Sequence, residues 1–475
     1  MSYKFKKNIV CPISYVANIT PHAIAIKTLD INYSYCELDI KINSFISSLS
    51  AYKLESKKVI LALHSDLNEI IVYFSLLRLK AIPFLVNKQL PSDIFDQLIK
   101  SHNIDFLFVD KALDLDLQNQ INEFEKRFEN PTENKFNNSQ LHIEQIASII
   151  GSSGSTGTPK QCCHLLKHHL ISARSVNDRL KLNADASWLL NLPLSHVSGL
   201  SILFRVFSIG ACIYLTKDNS YKQLLDSDLS HMSLVPTQLM DLLEQMPMNR
   251  FKNLKTIIIG GARTHKELVQ RAILAKYPIR LTYGMTETAS QISLSNIYKN
   301  TENIHSGKIL DHCKVMNSNG LLYVKSSSLF EGYYENEIIT LPLSENGFFN
   351  TNDLGSIDGN HHLRIFGRLD NMFISGGENI YPEEIEQIIL MHPKIDFAIV
   401  SPIPDDRFGN VAVSFLKLNT DIHHNELNFF LSKKLHKYKI PKQYYMIPDG
   451  FSYHLKSARK QLADLLINSQ ELQSI

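Results

Sequence analysis

From about Lys58 onward the chain repeats one arrangement: a short β-branched apolar run, then a longer amphipathic stretch. VILAL reads as a strand, EIIVYFSLLRL as a helix, and IPFLV and IDFLFVD as further strands, by the side-chain periods that a pleat and a helix impose. Strands joined through helices pair in parallel, because a tight hairpin cannot connect parallel neighbours. The expected fold class is therefore α/β with a mainly parallel sheet. The alternation resumes in ASIIG, WLLNL, ACIYL, HMSLV, TIIIGG and IRLTYG. Between the two blocks, Leu113 to Gln140 is polar and Asn-rich, with Asn130-Pro131 inside it, and reads as a surface excursion. From Asn317 to Tyr333 shorter, strand-rich runs suggest an antiparallel subdomain. Past Gly367 to Asp370 a separate pattern begins, with IYPEEIEQIILMHP and ELNFFLSKKL as helices and IDFAIVSPI and AVSFLKL as strands. The chain is divided accordingly into residues 1–367 and a small α+β domain at 371–475.

Composition narrows the partners. Lys+Arg 49 against Asp+Glu 47 leaves +2, so no global field draws the chain to nucleic acid or anionic lipid. The best membrane candidate, Ile70 to Val86, is interrupted by Arg78 and Lys80, short of the ~20 apolar residues a span needs. Six cysteines without a CxxC spacing read as buried, reduced thiols rather than a disulfide framework or zinc site. No leader segment is recognisable, and the expected location is cytoplasmic.

The densest chemical signal is GSSGSTGTPK, Gly151 to Lys160, directly after an apolar strand. Three glycines, Gly151, Gly154 and Gly157, let backbone N–H groups turn inward around an anion, and Ser152, Ser153, Ser155 and Thr156 add hydroxyl donors. Lys160 closes the loop with a positive charge. This composition suits a polyphosphate, although Thr158-Pro159 separates glycine from lysine and breaks the Walker pattern.

At this loop the chain resembles the adenylate-forming superfamily of acyl- and aryl-CoA ligases, adenylation domains and luciferases. Further segments follow in the family's order: Tyr283-Gly284-Met285-Thr286-Glu287-Thr288, Thr351-Asn352-Asp353-Leu354-Gly355, FGRLDNMFISGGENIYPEE from Phe366 to Glu384, and Lys456 with Arg459 three residues later. TLDINYSYCELDIKINSFISSL resembles the family's opening, so nearly the whole chain is covered. The resemblance implies a large N-terminal domain of several subdomains, one of them small and barrel-like, and a mobile C-terminal domain hinged near Asp370. It implies ATP, Mg²⁺ and CoA as cofactor and co-substrates, a small carboxylic acid as partner, and a monomer or homodimer. It implies Glu287 as metal ligand with Thr156 helping, Gly260, Gly261 and Ala262 against adenine, and Asp353 with Arg368 on the ribose. Lys456 becomes the adenylating lysine, and Gly376 and Gly377 the path of the pantetheine arm. One small domain cannot present both surfaces at once, so rotation is implied.

The acid is read from LPLSHVSGLSILFR, Leu192 to Arg205, which is similar to the family's o-succinylbenzoate-activating members. His196 stands where the family places an aromatic or His gate, with a core histidine as the plainer reading. Arg205 lies in an apolar run, where a charge is rarely buried without a partner. That partner is either a protein carboxylate or the free carboxylate of a dicarboxylic substrate. The expected activity is an AMP-forming acid–CoA ligase for o-succinylbenzoate. Alternatives are another aryl or fatty acid, a stand-alone acid-adenylating enzyme serving a carrier protein, or a nucleotide-binding scaffold without catalysis. With only a short stretch after Lys456, no fused carrier domain is expected. Asn352 replaces the usual glycine before Asp353, and asparagine is well suited to a left-handed backbone.

Overall fold

The computed structural model describes residues 6–63, 66–109, 139–152, 159–216, 221–448, 451, 458–468 and 472–475. The Asn-rich stretch is almost wholly outside them, as are residues 153–158 and Lys456.

Two large sheets carry the N-terminal portion. The first has seven strands, with a parallel centre formed by Ile146–Ser152, Ile82–Leu85, Lys58–Ala62 and Phe106–Val109. Lys160–Leu165 and then Gly332–Glu335 extend it antiparallel. The second has nine strands, and its parallel centre contains Ser187–Leu189, Cys212–Tyr214, His231–Leu234, Thr256–Ile259 and Ile279–Met285. The α/β expectation holds, with antiparallel strands confined to the flanks. One continuous core joins both sheets, from Val59, Leu61 and Ile150 through the helices to Ile26, Trp188 and Ile213.

Helices between the sheets are apolar on more than one face, because both neighbours are apolar. The helix Leu67–Arg78 is buried at Glu69 and at every residue from Ile70 to Arg78. The charge that interrupts it, Arg78, pairs with Asp39 at 2.6 Å. This is why the most hydrophobic stretch is a core helix, and no described helix is long and apolar enough to cross a membrane. The preceding helix Tyr35–Ser48 begins with a capping box in which Ser34 Oγ accepts from Glu37 N and Glu37 Oε2 accepts from Ser34 N.

Cys313–Ser318, Leu321–Ser326, Phe349–Ile357 and Leu363–Arg368 form a separate antiparallel sheet. It stands where a barrel-like subdomain was expected, but its four strands remain open between the first and last. Tyr333 leaves this unit and pairs with Cys162 in the seven-stranded sheet, which corrects the subdomain limit read from strand density alone. The small C-terminal domain has its own core around Ile385, Val400, Leu416 and Leu427. The six cysteines are free, five of them buried.

Candidate active site

The strands Ile146–Ser152 and Lys160–Leu165 pair antiparallel with Ser152 opposite Lys160, so residues 153–158 join two adjacent strand ends. Ser153, Gly154, Ser155, Thr156 and Gly157 lie outside the described residues. Lys160 is exposed and its Nζ stands 5.1 Å from the centre of the Tyr333 ring, a cation–π distance. The Tyr333 hydroxyl donates to Glu287 Oε1 at 2.9 Å. Burial first, and then Glu287, pushes the Tyr333 phenol well above its ordinary value, so it remains a donor at neutral pH. Glu287 is only 8% exposed and has no ion-pair partner among the described residues.

Strand Ile279–Met285 turns into strand Ser290–Leu294 through Thr286–Thr288. A Cβ on Gly284 would lie 2.0 Å from the Ser290 carbonyl oxygen, so glycine is required there for the two strands to touch. Tyr283 OH donates to Asp353 Oδ2 at 2.6 Å, and Arg368 Nη1 lies 3.6 Å from Asp353 Oδ1. Asp353 and Arg368 are cross-strand partners in the antiparallel sheet. Burial opposes the charge on Arg368, but Asp353, Asp370 and Glu287 outweigh it and raise its pKa. Asn352 has φ +56°, the left-handed geometry for which asparagine substitutes for glycine. Gly260, Gly261 and Ala262 follow the parallel strand Thr256–Ile259 at its carboxyl end, the side of an α/β sheet where ligands bind. The structure thus gathers Lys160, Tyr283, Glu287, Tyr333, Asp353 and Arg368 around the end of the second sheet.

Residues 14–334 match the AMP-binding enzyme family, and residues 384–451 match the AMP-binding enzyme C-terminal domain. The chain belongs to the AMP-binding enzyme family. Across 451 residues it is 35% identical to the 2-succinylbenzoate–CoA ligase of Haemophilus influenzae, covering 92% of this chain and 94% of that one. Its backbone is similar to that of o-succinylbenzoate CoA synthetase from Bacillus subtilis in complex with the acyl-adenylate intermediate OSB-AMP. The TM-score is 0.87 at 25% identity, over 96% of this chain and 98% of that one. The same Bacillus subtilis synthetase in complex with ATP and magnesium ion gives a TM-score of 0.83 at 25% identity, over 93% and 96%.

In this AMP-binding enzyme the helix Val197–Phe207 carries the two remaining side chains singled out for the acid. Arg205 is fully buried and donates through Nη2 to Ser290 Oγ at 3.2 Å and to Gln291 Oε1. Its guanidinium lies 5.5 Å from the Trp188 ring centre. Nε and Nη1 are buried without a hydrogen-bond partner, and no carboxylate pairs with the group among the described residues. Among the described residues, therefore, Arg205 lacks the protein carboxylate that was expected as one of its two possible partners. Burial pulls its pKa down to about 9, which still leaves a cation at neutral pH. His196 is exposed at the N-terminal end of the same helix, which excludes the core-histidine reading. Nine residues of helix put His196 roughly 13 Å along the axis from Arg205, so the two do not share one contact point.

Gly376 and Gly377 form the tip of the hairpin Phe373–Ser375 to Glu378–Ile380, with φ +58° and +89°. Sequence reasoning missed Tyr333, the partner of both Lys160 and Glu287. Its only signal is the EGYYEN segment 46 residues after Glu287.

Proposed function

We propose that this chain is an ATP-dependent acid–CoA ligase that activates o-succinylbenzoate, first as an acyl-adenylate and then as a thioester. The observation that carries the acid is Arg205, a buried guanidinium with two nitrogens that lack a hydrogen-bond partner and no carboxylate against it among the described residues. Burying such a charge costs several kcal/mol unless a counter-ion arrives. A dicarboxylic acid supplies one: its free carboxylate pairs with Arg205 while the other carboxylate reacts. The extent of likeness to the Haemophilus influenzae enzyme supports the same substrate.

Residues 1–367 bind ATP and acid, and residues 371–475 rotate about Asp370 between the two half-reactions. Asp353 accepts from the ribose hydroxyls through its two oxygens, held by Tyr283 and Arg368. Gly260, Gly261 and Ala262 leave flat backbone for the adenine, with Gly284, Met285 and Thr286 completing the nucleotide wall. The loop from Ser152 to Lys160 cradles the departing pyrophosphate, and Lys160 stays close to it through its place over Tyr333. Glu287 suits Mg²⁺: it is a hard oxygen donor, largely sheltered, bonded at one oxygen by a neutral phenol. When bound, the ion neutralises phosphate charge. Lys456 bridges carboxylate and α-phosphate during adenylation, where charge accumulates most. Gly376 and Gly377 then admit the pantetheine arm, and His196 guards the mouth of the acid pocket. The enzyme works in the cytoplasm as a monomer or homodimer.

The test is CoA thioester formation with ATP and Mg²⁺ across o-succinylbenzoate, benzoates and fatty acids. The expected ranking puts o-succinylbenzoate first by roughly a hundredfold or more, the worth of one desolvated charge pair. Preference for a monocarboxylic acid refutes the assignment, and adenylation without transfer to free CoA points to a carrier protein instead.

A further inference from the structure

The turn that carries Glu287 is held from three directions. Thr286 O accepts from His164 Nε2 at 2.8 Å, Glu287 O from Phe330 N at 2.8 Å, and Thr288 O from Ser328 Oγ at 2.8 Å. The backbone just beyond the turn is strained: Ala289 has φ +52° and Ser290 φ +112°, values that non-glycine residues hold only when their surroundings over-determine them. Of the three tethers, His164 alone comes from the strand that emerges from the phosphate loop. A carbonyl can only accept, so Nε2 carries the ring proton. The ring is fully buried, its Nδ1 is without a partner, and burial pulls its pKa down to about 4, so the donor is a neutral imidazole.

We propose that His164 is a positioning residue for the metal-bearing turn: its Nε2–H, through the Thr286 carbonyl, sets where the Glu287 carboxylate sits relative to Lys160. This rests on the ligase reading for the role of Glu287. One strand thus begins with Lys160 and, four residues on, presents the tether of the metal carboxylate. Lys160 and the Glu287 turn are thereby tied to each other by a single ribbon.

The decisive comparison is His164→Gln, whose amide N–H reaches to the place of Nε2, against His164→Met, which fills similar volume without a donor. Binding of Mg²⁺·ATP is measured by calorimetry in the absence of any acid, alongside the Mg²⁺ dependence of pyrophosphate exchange. His164→Met should weaken Mg²⁺·ATP binding roughly tenfold, the order of one lost hydrogen bond, and raise the half-saturating Mg²⁺ similarly. The KM for the acid should stay within about twofold, and His164→Gln should recover most of the loss. If His164→Met does not fold, His164→Asn, polar but too short to reach, is read in its place. Wild-type Mg²⁺·ATP affinity in the donor-less variant, or equal losses in His164→Gln and His164→Met, overturns the proposal. Failure of the wild type to activate any acid would sink the ligase reading, while the calorimetric comparison still decides the role of His164.

Discussion

Replacing Arg205 by leucine separates binding from stability, because the structure predicts that the two move in opposite directions. In the proposed substrate complex the buried guanidinium meets the free carboxylate of the acid. Removing one member of such a pair costs ~2–5 kcal/mol. The KM for o-succinylbenzoate should therefore rise by about a hundredfold, while the KM for ATP, whose proposed site lies around Asp353 and Glu287, should change by less than about twofold. In the free enzyme the balance is reversed. Among the described residues the Arg205 side chain hydrogen-bonds only to Ser290 and Gln291, neutral groups, and Nε and Nη1 find no partner. Each buried unmade bond costs ~1–3 kcal/mol, and leucine removes both, against a modest loss from the smaller volume. The apo Tm should hold or rise by a few degrees. Had Arg205 paired with a protein carboxylate, the same change would strand that carboxylate and cost ~3–5 kcal/mol. Steady-state kinetics with each substrate varied, and a thermal melt of the apo protein, suffice. A lower Tm combined with unchanged acid KM would refute the argument.

Asp353→Asn keeps the shape but loses the charge that orders Tyr283 and Arg368; with charged hydrogen bonds worth ~1.5–3 kcal/mol, ATP KM should rise ~10- to 100-fold while acid KM stays near wild type. Lys456→Ala should abolish pyrophosphate exchange yet leave thiolysis of supplied acyl-AMP nearly intact; equal loss of both half-reactions would show that the lysine does not divide the cycle. Acid should destabilise the fold through its buried neutral histidines. His164, His231 and His312 are each held at about 4 by burial, against an ordinary value of 6.5. The unfolded chain therefore takes up protons first: stability is complete above pH 6.5 and falls as pH drops toward 4, by ~1.4 kcal/mol per group per pH unit. A Tm series from pH 8 to 4 that stays flat between 6.5 and 4.5 would contradict this.

Much of the architecture was open to inspection because it is written in local periods. The apolar runs from VILAL to IRLTYG became strands, and GSSGSTGTPK became the link between two of them, since strand alternation and glycine density need no distant partner. Asn352 could be placed in the left-handed region for the same reason. The limit of the antiparallel subdomain at Tyr333 was misjudged, because which sheet a strand joins depends on pairing across more than a hundred residues. Cys162, which receives Tyr333, is 171 residues away.

The amino-acid order alone determined which chemical groups are present, their sequence along the chain and the type of element each sits on, since these follow from side-chain volume, charge and spacing. Only the folded arrangement decided that Arg205 faces no carboxylate among the described residues, that His196 is exposed, and that His164 and Tyr333 converge on the turn of Glu287. Burial and the identity of the nearest dipole are what set a side chain's charge state and its reach. Both are made by residues such as Ser290, Gln291 and Thr286, 85, 86 and 122 positions from the groups they touch, beyond any local pattern.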